Sequence, residues 1–320
     1  QKERPKSNEY SLKALDLSKE NDVKDWGEYN DRWVVLKKLN SDSWAISSEI
    51  EQKIKEKIER IGKPLKDWDI QINYGIKTGY NEAFIIDRAK KDELIKQDPK
   101  SAEIIKPVLR GRDIKRYRAE FADLWLINSH NGVKGKLDRI NVVRDYPAIY
   151  EHFQQYEQQL IKRQDKGDHW TNLRNCAYIE EFEKEKIVYS EIVREPQFFL
   201  DNKNTYPEAT VFFITGNKIR FLLALLNSKF ITWVFKKYYA GGGLGNDGYR
   251  YKKAFIELIP IPEIPPKEQQ PFIELVNQIL ANKEKGEDTT ALEKEIDQLV
   301  YTLYELTDEE IAIIQKQTTE

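Results

Sequence analysis

Hydrophobic residues recur along this chain at two spacings, and those spacings predict its elements. Ile46, Ile50, Ile54, Ile58 and Ile61 fall four, four, four and three apart, one apolar stripe along a helix over 48–61. Ser48-x-x-Glu51 gives that helix a capping box, and Gly62 with Pro64 stops it. Short apolar runs between turn residues predict strands at 83–86, 124–127, 186–189 and 210–214. Residues 91–109 read as one or two short helices, broken before Pro107. Pro147 stands where a first helical residue would, ahead of a helix over 148–162. A long apolar helix is predicted over 217–238. A glycine-rich loop over 241–248 comes next, then Tyr249-Arg250-Tyr251-Lys252-Lys253 and an extended, proline-rich connector over 258–266. Helices over 269–283 and 290–304 pair as a hairpin, and Thr307-x-x-Glu310 caps a last short helix. The expected fold is α+β: a mixed domain with a small β-sheet over 46–262, then a helical part over 263–320. Residues 1–45, polar and mixed in charge, read as a join to something preceding them.

Net charge is −2, which by itself argues against a general nucleic-acid binder. The distribution is uneven. Residues 100–118 hold seven basic side chains against two acidic ones, and 218–253 hold eight against one. Residues 263–320 hold 14 acidic side chains against five lysines. Screening confines each field to about 8–10 Å, so a basic surface acts independently of the acidic end. With 33% charged and 40% hydrophobic residues in 320 positions, the chain has material for a substantial core and a solvated surface. No apolar run approaches the roughly 20 residues that span a bilayer, and no signal-peptide pattern opens the chain. Its one cysteine, Cys176, excludes an internal disulfide and fits a reducing cytoplasm. A first residue of Gln1 and the absence of methionine lead us to expect a piece of a longer protein.

Two segments concentrate polar chemistry. In Ile72-Asn73-Tyr74-Gly75-Ile76-Lys77-Thr78-Gly79-Tyr80-Asn81, glycines allow a tight turn that carries a cation, a hydroxyl and an amide. Thr78 and Asn81 either reach base edges or phosphates, or Asn81 closes the turn through its own backbone. In Ile104-Ile105-Lys106-Pro107-Val108-Leu109-Arg110-Gly111-Arg112-Asp113-Ile114-Lys115-Arg116-Tyr117, the cations suit phosphate and the tyrosine ring suits stacking. A solvated charged face has the same composition.

The two segments resemble the target-recognition (specificity) domain of the TaqI-type adenine-N6 DNA methyltransferases, including single-chain restriction–modification enzymes. In that family G-I-x-T-G-x-N-x-A-F-I-I is followed by I-I-K-P-x-L-R-G-x-D-I-x-R-Y. Further matches are Leu225-Leu226-Asn227-Ser228-Lys229 with the glycine loop and Ile259-Pro260-Ile261-Pro262, and the run from Glu295 to Thr307. The resemblance runs from about Ile72 to the end of the chain. It implies sequence-specific recognition of double-stranded DNA, in restriction–modification or related phage defence. It also implies a methyltransferase domain elsewhere in the parent chain that binds S-adenosylmethionine and flips out the adenine.

Catalytic residues are not expected in these 320 positions. The Asn/Asp-Pro-Pro-Tyr/Phe tetrapeptide of such enzymes is absent. Gly243, Gly245 and Gly248 match G-x-G-x-x-G, but they follow a helix rather than a strand, so a nucleotide-binding reading fails on context. That loop carries Tyr249, Arg250 and Tyr251, and is either a DNA contact or a plain connector. His130, His152, His169 and Cys176 lack zinc-ligand spacing, and no cofactor or metal is expected in this chain. The candidate DNA-binding residues are Lys77, Thr78, Asn81, Arg110, Arg112, Lys115, Arg116, Tyr249, Arg250 and Lys252. The expected partners are double-stranded DNA and the parent's methyltransferase domain, with no membrane. Two alternatives stand beside this reading: an RNA-binding module, and a protein-interaction scaffold whose acidic helical hairpin docks another subunit.

Overall fold

The computed structural model describes residues 11–14, 33–37, 48–244 and 248–319. β1 (Ser11–Ala14) and β2 (Val34–Lys37) pair as an antiparallel ribbon. α1 (Glu49–Ile61) begins on the expected box: Ser48 Oγ accepts from the Glu51 amide at 3.3 Å, and the Glu51 carboxylate accepts from the Ser48 amide at 2.6 Å. Ile54 and Ile58 of its stripe are fully buried, each contributing roughly 1.5–3 kcal/mol. Ile46 lies outside the described residues. The short strand β3 (Lys63–Pro64) comes directly after α1.

Two four-stranded sheets organise the middle of the chain. The first contains β4 (Ile70–Tyr74), β10 (Lys186–Ser190), β12 (Phe198–Asp201) and β14 (Val211–Gly216), in the order β12-β10-β14-β4, all antiparallel. The second contains β5 (Ile85–Asp87), β6 (Ile105–Leu109), β9 (Leu124–Ile127) and β13 (Tyr206–Pro207), in the order β13-β6-β9-β5. Between β6 and β9, the hairpin β7 (Ile114–Lys115) and β8 (Arg118–Ala119) reaches over to β12.

The first sheet is covered on both faces, and strand alternation divides its side chains. Ile187, Tyr189 and Ile214 join one core; Val188, Val211 and Phe213 join the other. The first core includes α1, α7 (Ile219–Leu226), α8 (Lys229–Val234), α9 (Lys253–Ile256) and the C-terminal helices α10 (Pro266–Lys285), α11 (Thr290–Leu303) and α12 (Asp308–Thr319). The second gathers the other sheet with α2 (Asn81–Phe84), α3 (Arg88–Gln97), α4 (Val142–Asp145), α5 (Pro147–Gln154) and α6 (Glu157–Lys162). The fold is α+β, with small sheets and a helical C-terminal region. Among the described residues no helix is long and apolar enough to cross a membrane.

Some local expectations change. Ala83 and Phe84 are buried, but in the helical turn α2; the strand starts only at Ile85. Residues 105–109 are a strand, not the end of a helix. Pro107 fits because β9 pairs with 105–107 and β13 with 108–109, in succession. The long helix over 217–238 breaks at Asn227 and Ser228. Asn227 binds both backbone groups of Phe198, at 3.2 Å and 3.0 Å, and Ser228 caps α8 through the Ile231 amide at 3.2 Å. The proline segment is no solvated linker: β16 (Pro260–Ile261) pairs with β3, and Ile259 and Ile261 are buried. The helix expected over 148–162 is likewise divided, into α5 and α6.

One buried ion pair anchors the first sheet. Lys186 Nζ lies 2.7 Å from the Asp201 carboxylate, and neither side chain is exposed. The Phe182 carbonyl accepts from the same ammonium at 2.7 Å. Asp201 accepts from the Lys203 amide and from the amide and hydroxyl of Thr205, which builds the turn out of β12. Both charges are met by several partners, which is the condition for burying such a pair. Asp201→Ala leaves the buried ammonium with backbone carbonyls but no counter-charge, and we expect a loss of about 3–5 kcal/mol in urea unfolding. A loss under about 1 kcal/mol would show that the pair carries no such weight.

Candidate nucleic-acid interface

The turn after β4 is fixed from several sides. Gly75 lies against the backbone of Pro207 and Glu208, where a Cβ would collide with the Glu208 carbonyl. The Gly75 amide donates to the Val211 carbonyl, and the Ile76 amide to that of Pro207, both at 2.7 Å. Thr78 is buried at 3% exposure; its hydroxyl donates to Asn81 Oδ1 at 2.5 Å and accepts from the Tyr80 amide at 3.2 Å. Thr78 and Asn81 therefore close the turn together. Arg163, also buried, donates to the carbonyls of Thr78, Trp170 and Asn172, tying the turn to a second loop. Burial pushes its guanidinium down to about 10. Lys77 pairs with Asp165 at 2.9 Å, and its hydrogen bond holds that carboxyl below the ordinary range.

The basic turn after β6 is a second closed unit. Asp113 accepts from the Arg110 amide at 2.9 Å and grips its guanidinium at 2.9 Å and 2.7 Å. Burial alone would raise the Asp113 carboxyl; the bonds from Arg110 outweigh it and leave it below its ordinary value. Arg110 is thus spent partly on the turn, while Arg112 beside it is exposed and makes no side-chain hydrogen bond or ion pair among the described residues, its charge acting on the nearby Asp113 and Glu208 carboxyls. Lys115 donates to the Arg112 carbonyl at 2.8 Å and lies 3.9 Å from Glu120. Arg116 points the other way, to Glu293 on α11 at 2.6 Å. Tyr117 is not available for stacking: its ring is only 1% exposed and its φ is +61°.

Residues far apart in sequence link this turn to the glycine loop. Ser190, the last residue of β10, donates its hydroxyl to the Gly111 carbonyl at 2.7 Å. The chain runs on into β11 (Ile192–Val193), which pairs with β15 (Tyr249–Arg250). The Tyr251 amide donates to the Glu191 carbonyl at 2.6 Å. Thr210 holds a φ of +89°, strained for a β-branched residue. Its amide donates to the Tyr74 hydroxyl at 2.9 Å, and its carbonyl accepts from the Glu191 amide at 3.0 Å. The structure thus links the turn carrying Arg110 and Arg112, through Ser190 and Glu191, to the segment carrying Tyr249, Arg250 and Lys252. Lys77, Thr78 and Asn81 attach through Gly75 and the 207–211 segment.

Sequence reasoning missed Ser190, Glu191, Ile192, Arg194 and Thr210. Of these, Arg194 is an exposed cation without a side-chain partner among the described residues. Its signal was a lone arginine shortly past a predicted strand, too weak to single out. Tyr249 stacks under Lys236, whose ammonium lies 5.2 Å from its ring. His152 is buried, with Nε2 2.9 Å from the Ala83 carbonyl. Among the described residues no group of three His, Cys, Asp or Glu is placed to hold a metal ion.

The fold and these turns define an α+β domain with a locally basic surface. Residues 106–261 match the TaqI-like C-terminal specificity domain family. Type II methyltransferase M.MjaIV from Methanocaldococcus jannaschii is 24% identical over 237 residues, 72% of this chain and 77% of that protein. Among solved structures, the type IIL restriction–modification enzyme MmeI in complex with DNA superposes with a TM-score of 0.59 at 13% identity, over 90% of this chain. The type IIG restriction endonuclease BpuSI is similar over 85% of the chain, with 16% identity and a TM-score of 0.46. The chain spans 39% and 36% of the lengths of those two enzymes.

The Arg110–Asp113 clamp makes an acid-dependent prediction. A carboxyl held low in the folded state stabilises above its unfolded value of about 3.9, and that contribution is lost as pH falls through the depressed folded value. Asp113→Ala should lower stability by about 1–3 kcal/mol at pH 7. The gap between variant and wild type should narrow below about pH 4. A gap that is constant down to pH 2 would show that the carboxylate charge is not what closes this turn.

Proposed function

We propose that this chain reads the sequence of double-stranded DNA as the specificity part of an adenine-N6 DNA methyltransferase. The observation that carries this reading is the convergence of the 110–113 turn and the 249–252 segment on Ser190 and Glu191, with the side chains of Arg112, Arg194, Arg250 and Lys252 making no hydrogen bond or ion pair among the described residues. Cations already neutralised by carboxylates add little to phosphate binding; unpaired ones release counterions on binding. The family match and the fold likeness to a DNA-complexed enzyme support the choice of duplex DNA. In this reading Arg112 holds phosphate, with Lys115 and Lys77 available once they leave Glu120 and Asp165. Arg116 serves mainly to fasten the basic hairpin to α11. Base flipping and methyl transfer from S-adenosylmethionine belong to a methyltransferase domain of the parent, and this chain holds the duplex in register for it. The setting is restriction–modification, in the cytoplasm.

Fluorescence anisotropy with a random-sequence DNA duplex, single-stranded DNA and matched RNA, each titrated with salt, tests this. Duplex DNA should bind tightest, and Arg112→Ala should weaken every duplex and lower the log–log salt slope by about 1. Tighter binding to RNA would favour an RNA-binding module. An Arg112→Ala slope equal to wild type would remove that residue from the phosphate contacts.

A further inference from the structure

The ribbon of β11 and β15 has two unlike faces. Its register places Ile192 opposite Arg250 and Val193 opposite Tyr249. Val193 and Tyr249 pack against the first core. Ile192 and Arg250 turn outward, and Ile192 is 47% exposed. Paired residues on one face of an antiparallel ribbon have Cβ atoms about 4.5–5.5 Å apart. Among the described residues, an isoleucine and a guanidinium with no ion-pair partner therefore stand side by side on an uncovered surface.

The ribbon is a built element. Gly248 has φ +102°, and a Cβ there would come within 2.5 Å of the Val193 carbonyl oxygen, so only glycine lets the strands meet. The Leu244 amide donates to the Gly248 carbonyl at 2.7 Å, and the Tyr251 amide holds the far end on Glu191. Glu195, past β11, is neutralised by Lys236 at 2.6 Å. The ribbon thus stands beside the phosphate-facing 110–113 turn, joined to it through Ser190 and Glu191.

We propose that this ribbon enters the major groove, where Arg250 donates two hydrogen bonds to O6 and N7 of a guanine and Ile192 contacts the methyl group of an adjacent thymine. The proposal rests on the duplex-DNA reading above and assigns the residues that determine its specificity. A two-stranded ribbon fits a groove about 12 Å wide, and arginine on guanine and an apolar side chain on a thymine methyl are pairings the groove geometry favours. The cross-strand spacing of Ile192 and Arg250 is comparable to the roughly 3.4 Å rise between bases, so both reach one dinucleotide step. An exposed isoleucine has no use against phosphate, whereas a thymine methyl buries it.

Selection from a randomised duplex pool, with wild type, Arg250→Ala, Arg250→Lys, Ile192→Ala and Arg112→Ala, tests the assignment. Wild type should enrich one preferred sequence. Arg250→Ala should lose a guanine at one position, by about ten- to a hundredfold. Arg250→Lys keeps the charge but not the fork, and should loosen the same position. Ile192→Ala should relax the neighbouring thymine severalfold, and Arg112→Ala should weaken all sequences while leaving the preference intact. An unchanged preference in both Arg250 variants would overturn the proposal while leaving duplex recognition standing. Failure of wild type to bind duplex DNA at all would bring down the functional reading, and the proposal with it.

Discussion

The Lys186–Asp201 pair is the constraint on which most of this fold leans. It sits in the sheet that divides the two hydrophobic cores, with neither charge exposed. A buried ammonium donates to a narrow arrangement of oxygens, here the Asp201 carboxylate and the Phe182 and Lys184 carbonyls. That fixes β10 against β12, and β10 leads the chain into the basic surface. Its last residue, Ser190, holds the Gly111 turn; the next three residues build the ribbon.

A second device works at the edge of that sheet, on β12. Asn227 replaces a strand partner for Phe198, and the same carbonyl of Phe198 accepts from the Tyr117 amide at 3.0 Å. One backbone position thus connects a helix break to the tip of the basic hairpin. The Arg116–Glu293 pair extends the connection to α11. The acidic C-terminal helices and the basic middle of the chain are therefore in contact at this point, and part of their opposite charge is used internally. Near the ribbon and the basic turn, the side chains of Arg112, Arg194, Arg250 and Lys252 make no hydrogen bond or ion pair among the described residues.

Recognition asks for two different behaviours from such a surface. Phosphate contacts need charge in approximately the right place; base contacts need side chains held at fixed angles. In the proposed reading, the turns answer the second need by spending residues on their own closure. Thr78 with Asn81 and Arg110 with Asp113 use up polar groups that composition alone would assign to the ligand. Strain at Thr210 is held by hydrogen bonds to Tyr74 and Glu191, at the junction of the two turns and the ribbon.

By itself the sequence determined whatever depends on near neighbours. The Ser48 and Thr307 capping boxes, the α1 stripe and strands such as β9, β10 and β14 follow from local spacing and were legible there. So was the likeness to the TaqI-like specificity domain that residues 106–261 match, because its motifs are contiguous. Tertiary structure alone decided where local rules had two outcomes. Pro107 entered a strand because its two partners succeed one another along it. The apolar run after Asn217 broke because Asn227 satisfies a distant strand. Tyr117 went into the core through its bond to Phe198, and Ile192 stayed out of it through its pairing with Arg250, each partner lying far away along the chain. A residue's neighbours in space set whether its charge is free or already paired, and spacing along the chain carries no record of them.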